Sequence, residues 1–231
     1  MLHCLYLQKN RLIGFIVPIF ALFLLYPQYG KAQTDTLAPP RYQEHLLGVR
    51  GTFSLAGVHF NPDRKQTTTP TYKNASLLYT YYHGMWGKMP FFGFQTGVTY
   101  CQTGYRIADT RTLYDVIQVP LSTQFHFDFW KMRLLVNLGF FGGYRWRATE
   151  YKDGSTTGTP VVFDCNHRYI DYGLAGGGGL ALHFHPIEIQ LECNYQYSLS
   201  LIENPAKYSN ETFTYGYPNQ LMISLGIFIH L

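Results

Sequence analysis

Between residues 187 and 201 the chain reads I-E-I-Q-L-E-C-N-Y-Q-Y-S-L-S-L, apolar or aromatic at every odd position and polar or charged at every even one. Successive side chains of a β-strand point to opposite faces, so a strict period of two marks a strand with two unlike faces. One face carries Ile187, Ile189, Leu191, Cys193, Tyr195, Tyr197, Leu199 and Leu201; the other carries Glu188, Gln190, Glu192, Asn194, Gln196, Ser198 and Ser200. Strands of soluble domains usually run about 5 to 6 residues. A tilted strand crosses a bilayer in about 9 to 11, and this segment of 15 residues exceeds both lengths.

Seven other segments read in the same way: 46–60, 76–85, 91–105, 115–129, 133–148, 169–184 and 220–231. In the first, Leu47, Val49, Phe53 and Leu55 oppose Arg50, Thr52 and Ser54; in the last, Leu221, Ile223, Leu225, Ile227 and Ile229 oppose Met222, Ser224, Gly226, Phe228 and His230. The connections alternate between short (86–90, 130–132, 185–186) and long (61–75, 106–114, 149–168, 202–219). Short turns on one side, long loops on the other and an even strand count are the arrangement of an outer-membrane barrel. Closure satisfies every backbone polar group inside lipid. The expected fold is therefore all-β: an eight-stranded antiparallel up-and-down transmembrane β-barrel with periplasmic termini. Gly48, Gly93, Gly97, Gly139, Gly143, Gly177, Gly179 and Gly226 fall on inward faces. They suit the narrow lumen of eight strands, which side chains fill.

Aromatic residues make up 17% of the chain and include 20 tyrosines. An apolar ring with a polar tip suits a membrane interface, and two girdles are expected. Tyr100, Tyr105, Tyr144, Trp146, Tyr169, Tyr172, Tyr195, Tyr197 and Tyr217 fall at long-loop ends; Trp86, Phe91, Phe92, Phe129, Trp130 and Phe184 fall at short-turn ends.

The N-terminus carries Lys9 and Arg11, an apolar run over 12–25, and Gly30-Lys31-Ala32. This is the pattern of a secretory signal cleaved after Ala32. The expected organisation is a signal peptide over 1–32, a short periplasmic segment over 33–45 and a barrel domain over 46–231. Removing the leader leaves 15 basic against 14 acidic side chains, so the pI near 8.8 of the whole chain comes largely from the part removed. Nucleic acid has no electrostatic footprint to bind. After the leader, no run of about 18 apolar residues is present, which excludes a helical span.

Lumenal charges are the strongest candidates for chemistry. Toward the short turns lie Arg50, Asp128, Arg133, Glu188 and Glu192; toward the long loops lie Arg145, Arg147 and Asp171, with either arginine able to meet Asp171 across adjacent strands. An unpaired charge in a narrow lumen is costly, so these are read as a paired network that plugs the barrel. A gated ion path is the alternative. Ser122, His126 and Asp128 share one face, but four residues along a strand separate Ser122 from His126 by about 13 Å, which rules out direct contact. Gly176 to Gly179 has no following Lys-Ser or Lys-Thr, so it is read as close strand packing rather than a phosphate loop. The histidines are scattered, and neither a metal nor a cofactor is expected. Cys101 and Cys165 both lie toward the long-loop end of an exported protein, where a disulfide can form, while Cys193 sits on the apolar face.

With the strands placed, five stretches carry a family resemblance. They are F-G-F-Q-T-G-V-T-Y (92–100), I-Q-V-P-L (117–121), L-L-V-N-L-G-F-F-G-G-Y (134–144), D-Y-G-L-A-G-G-G-G-L (171–180) and N-Q-L-M-I-S-L-G-I-F-I (219–229). In their order and spacing the chain resembles the Bacteroidetes outer-membrane β-barrel family that includes the PorT-like proteins. The resemblance implies a single barrel in the outer membrane of a Gram-negative bacterium, with no enzymatic site to carry over; some members are linked to type IX secretion. The expected partners are outer-membrane lipid and envelope or secretion-system proteins, with the barrel itself a monomer. A lipid-modifying enzyme and a narrow ion channel are the alternatives from other classes.

Overall fold

The structure, a computed structural model, describes residues 43–85, 89–152, 157–163, 167–184, 186–205 and 214–231. The expected leader and the side chains of Trp86, Phe91 and Cys165 lie outside the described residues. The strands are β1 (Gln43–Asn61), β2 (Thr69–Met85), β3 (Met89–Ile107), β4 (Thr110–Phe129), β5 (Met132–Lys152), the short β6 (Thr159–Val161), β7 (Ile170–Phe184), β8 (Ile187–Ser198) and β9 (Tyr215–His230). Each pairs antiparallel with its neighbours in the ring β1-β2-β3-β4-β5-β7-β8-β9. The ring closes where β1 meets β9, in a register running from Leu46 opposite His230 to Asn61 opposite Tyr215. Eight strands form the barrel, and β6 is an outrigger paired to the top of β5.

The period-two pattern sets which way each strand faces. Val49, Leu77, Val98, Val119, Leu138, Leu174, Leu191 and Leu225, one from each barrel strand, point outward and are 43% to 64% exposed. Their neighbours Thr80, Gln95, Gln118, Gln124, Glu188, Gln190 and Ser224 point inward and are buried. A polar inside and a continuous apolar outside invert a water-soluble barrel. Such a surface, far larger than the apolar patches a soluble monomer tolerates, is solvated by lipid. The lumenal glycines make room for large cross-strand neighbours. A Cβ on Gly48 would overlap the ring of Phe228, and one on Gly93 would overlap Tyr82.

At the short-turn end the apolar outer face runs right down to the turns, with Phe129, Trp130, Met132, Phe184 and Ile187 all exposed. At the other end the pattern reverses. Val58 and Phe60 point inward, and His59 and Asn61 outward. Val58 and Phe60 join Cys101, Tyr114, Val116, Ala148 and Ile202 in a buried apolar cluster. Strands of 16 to 21 residues exceed the membrane requirement, and the excess projects beyond lipid as a barrel with a soluble-type interior.

This projection corrects the expected loops. The stretch 61–75 contains the upper part of β2 from Thr69 on, leaving 62–68 as the connection, and 106–114 is a β3–β4 hairpin with the two-residue turn Ala108-Asp109. Ala108 takes φ 49°, the left-handed conformation that two-residue hairpins use to match strand twist. The stretch 149–168 begins with the end of β5 and contains β6, and 202–219 ends in the first residues of β9. The first strand likewise includes residues 43–45, ahead of the segment read from sequence. Outside lipid a strand needs no apolar outer face, so its alternation vanishes while its backbone pairing persists.

Candidate functional site

The lumen is filled in tiers, each built where a charged side chain from one strand faces its complement from another. In the middle, Arg50 on β1 pairs with Glu192 on β8, and Arg50 also reaches Gln95 Oε1 at 3.5 Å. Glu192 Oε2 accepts from Asn137 at 2.7 Å and from Asn194 at 2.9 Å. A cavity of about 60 Å³ lies beside this pair, lined by Arg50, Gln95, Asn137, Glu192, Asn194 and Ser224 among others. Its polar walls and size suit a few waters.

Toward the short turns, Arg133 Nε donates to Asp128 Oδ1 at 2.8 Å, and its Nη1 lies 3.2 Å from both Glu44 Oε2 and Glu188 Oε2. Gln190 Nε2 donates to Glu188 Oε1 at 2.8 Å. The guanidinium carbon sits 5.2 Å from the Tyr82 ring centroid, and Tyr82 packs with Leu46, Leu78 and Phe228 in a second apolar cluster. The Tyr82 hydroxyl donates to Gln124.

Toward the long loops, Arg145 and Asp171 are both almost fully buried. Arg145 Nη2 donates to Asp171 Oδ1 at 2.6 Å and to Ser200 Oγ at 2.9 Å. Ser200 Oγ in turn donates to the same carboxylate at 2.9 Å, and Gln118 Nε2 donates to Asp171 Oδ2 at 3.2 Å. Arg145 Nη1 donates to the backbone carbonyls of Arg168 at 3.2 Å and Leu201 at 3.0 Å. One guanidinium thus holds the ends of two connections, 153–169 and 199–214, against the barrel. Those connections also bridge each other through His167 and Glu203. Phe163 packs on Tyr169, His167 and Tyr114, with ring centroids 5.1, 5.2 and 6.4 Å away. The apolar cluster of the projecting barrel lies at this level, so among the described residues an ion pair, two tethered loop ends and packed rings fill the lumen here.

Of the lumenal charges read from sequence, the structure brings Arg50 to Glu192, Arg133 to Asp128 and Glu188, and Arg145 to Asp171. Arg147 departs from its expected lumenal place. The β4–β5 register slips between Asp115 and Val116, which face Arg147 and Arg145, so Trp146 is an extra residue on β5. A bulge shifts every later side chain to the other face, leaving Arg147 exposed opposite Asp115. Asp115 accepts from the Tyr100 hydroxyl at 2.9 Å and from Gln102 at 2.7 Å. No residue pattern announces such a bulge in advance.

Glu44, the second acid on Arg133, precedes the first strand segment read from sequence and was therefore not a candidate. Tyr105, expected in the outer girdle, packs edge-on against Phe60 at 5.3 Å instead, because the inverted pattern turns it toward the upper core. Trp146, Tyr172 and Tyr195 remain exposed at that level, and Trp130 is exposed at the opposite end. Cys101 is a free thiol in the upper apolar cluster, and Cys193 is free and exposed on the outer face. Gly177 and Gly179 lie against Asn194 and Glu192 in a regularly paired β7. His126 Nδ1 lies 2.9 Å from Asp128 Oδ1, but His126 is buried edge-on against Tyr82 at 4.6 Å and Ser122 is four positions away.

Among solved structures, the chain is similar to Neisserial surface protein A (11% identity, 80% of this chain and 96% of that one, TM-score 0.48). It is also similar to OprG from Pseudomonas aeruginosa (12%, 82% and 95%, TM-score 0.40) and to Ail of Yersinia pestis, solved with the heparin analogue sucrose octasulfate (16%, 80% and 99%, TM-score 0.37). No curated protein matches significantly. Residues 31–204 match the outer membrane protein beta-barrel domain, and the chain belongs to that family of outer-membrane proteins.

Proposed function

We propose that this is a non-enzymatic, PorT-like barrel of the Bacteroidetes outer membrane, exported with cleavage after Ala32, that works through its long-loop end as a docking surface for envelope or type IX secretion components. The observation that carries this reading is Arg145, whose guanidinium binds the carbonyls of Arg168 and Leu201 while paired to Asp171. A buried ion pair gains little net stability from its charges alone. Spent on two loop backbones at once, it holds a surface in one shape. Among the described residues, the spacing of Ser122, His126 and Asp128 argues against a hydrolytic triad, and the paired charges at three levels favour a filled barrel over a channel.

In the source bacterium, deleting the gene is expected to leave type IX cargo in the periplasm. The full chain should restore secretion. A chain in which residues 153–162 are replaced by a short Gly-Ser linker should assemble in the membrane yet fail to restore it. Normal secretion in the deletion strain would remove the secretion role, and full rescue by the linker variant would remove the role of the long-loop end.

A further inference from the structure

Three strands bring metal-ligating side chains together at the short-turn mouth of the lumen. His183 on β7 and Glu188 on β8 are direct cross-strand partners, and His230 lies two residues beyond Phe228, the β9 partner of Glu188. All three point inward, so the barrel wall itself fixes the donor set. Glu188 Oε2 lies 3.4 Å from His183 Nδ1 and 3.5 Å from His230 Nε2, and the three donor atoms lie within 4.8 Å of one another. Bonds of about 2.0 to 2.2 Å in a tetrahedral zinc site put neighbouring donors about 3.4 Å apart. Two of the three separations already have that value. A small rotation of one imidazole closes the third.

The surroundings favour a divalent cation. Three carboxylates, Glu44, Asp128 and Glu188, surround the single guanidinium of Arg133, which leaves an excess of two negative charges with the histidines neutral. Gln190 holds Glu188 Oε1 at 2.8 Å, and Oε2, which also lies 3.2 Å from Arg133 Nη1, faces the imidazoles. A hydrogen bond of this kind orients the ligand in protein metal sites. The two imidazole rings stand edge to face with centroids 4.7 Å apart, close enough for both to reach one ion. His183 is partly exposed at the mouth, which gives an ion an entry path.

We infer that His183, Glu188 and His230 form a binding site for a zinc-class divalent ion that staples β7, β8 and β9 at the short-turn mouth. Two imidazoles and a carboxylate suit zinc. The site stands at the opposite end from the proposed docking surface and does not depend on it. The scattered histidine spacing in sequence concealed it, because the three residues meet only through strand register.

The full barrel refolded in detergent and titrated with Zn²⁺ by calorimetry is expected to bind one ion. Co²⁺ should give the visible absorption of a low-coordinate site. His183→Ala and His230→Ala should each weaken binding by more than tenfold, and the double variant should abolish it, with heat-dependent gel migration confirming that each barrel is folded. Gln190→Leu should weaken binding about tenfold through loss of the orienting hydrogen bond. Should His230→Ala fail to fold, His230→Gln with the Co²⁺ spectrum answers the same question. Absence of stoichiometric binding by the unaltered barrel, or undiminished binding by the double variant, would overturn the site.

Discussion

Arg145→Ala is expected to lower the unfolding free energy of the barrel in lipid vesicles by about 3 to 5 kcal/mol, the cost of leaving a buried charge without its partner. Among the described residues, Asp171, at 1% exposure, would keep Ser200 and Gln118 as its side-chain donors. The carbonyls of Arg168 and Leu201 would lose the guanidinium as well. Urea titration followed by tryptophan fluorescence measures the loss, and limited proteolysis should show new cleavage near 168 and 201. Arg145→Met combined with Asp171→Leu removes both charges and should recover more than half of the stability, since apolar residues often replace a buried pair at little cost. Loop cleavage should persist in that double variant, because no donor remains for the two carbonyls. A loss below about 1 kcal/mol in Arg145→Ala would mean that the cap is held by something else.

Leu225→Arg should destabilise the barrel by about 2 to 4 kcal/mol, the cost of placing a guanidinium on the lipid face near the bilayer midplane. Leu225 is 58% exposed and sits midway along the outward row from Leu221 to Ile229 on β9. In water the same exposed change would stay within about 0.5 kcal/mol. His59→Arg supplies the control: His59 is also outward and exposed, but it stands on the projecting, polar part of β1. Its effect should stay within about 0.5 kcal/mol. Equal effects at the two positions would contradict a lipid boundary between them.

Much of this architecture was legible because lipid enforces a rule that water does not. Every outward residue of β8 in the apolar band must be greasy and every inward one polar, so Ile187 to Leu201 could be read with both faces assigned. That Glu188 and Glu192 would need lumenal partners was readable from the narrowness of an eight-stranded lumen, which leaves a charge few places to go. Above the band the rule lapses. Pro70 and Lys73, exposed on the upper part of β2, carry no trace of a membrane face, so that stretch reads as a loop, and Tyr105 and Val58 concealed an apolar core inside a barrel expected to be polar. Arg147 escaped for a different reason: one inserted residue at Trp146 reverses the faces that follow, and a bulge leaves no mark in alternation. Glu44 and the meeting of His183 with His230 depend on where strands start and how they register across the closure. Those are properties of pairing between distant segments rather than of any one segment.

Arg133, Arg50 and Arg145 are each paired across the lumen, with packed apolar clusters at two levels, and we propose that this filling closes it to ions. Reconstitution of the purified barrel into a planar lipid bilayer tests it most directly. No steady single-channel conductance is expected under an applied potential. A stable conductance that disappears in Glu192→Gln would contradict the closed lumen and make the middle tier part of an ion path.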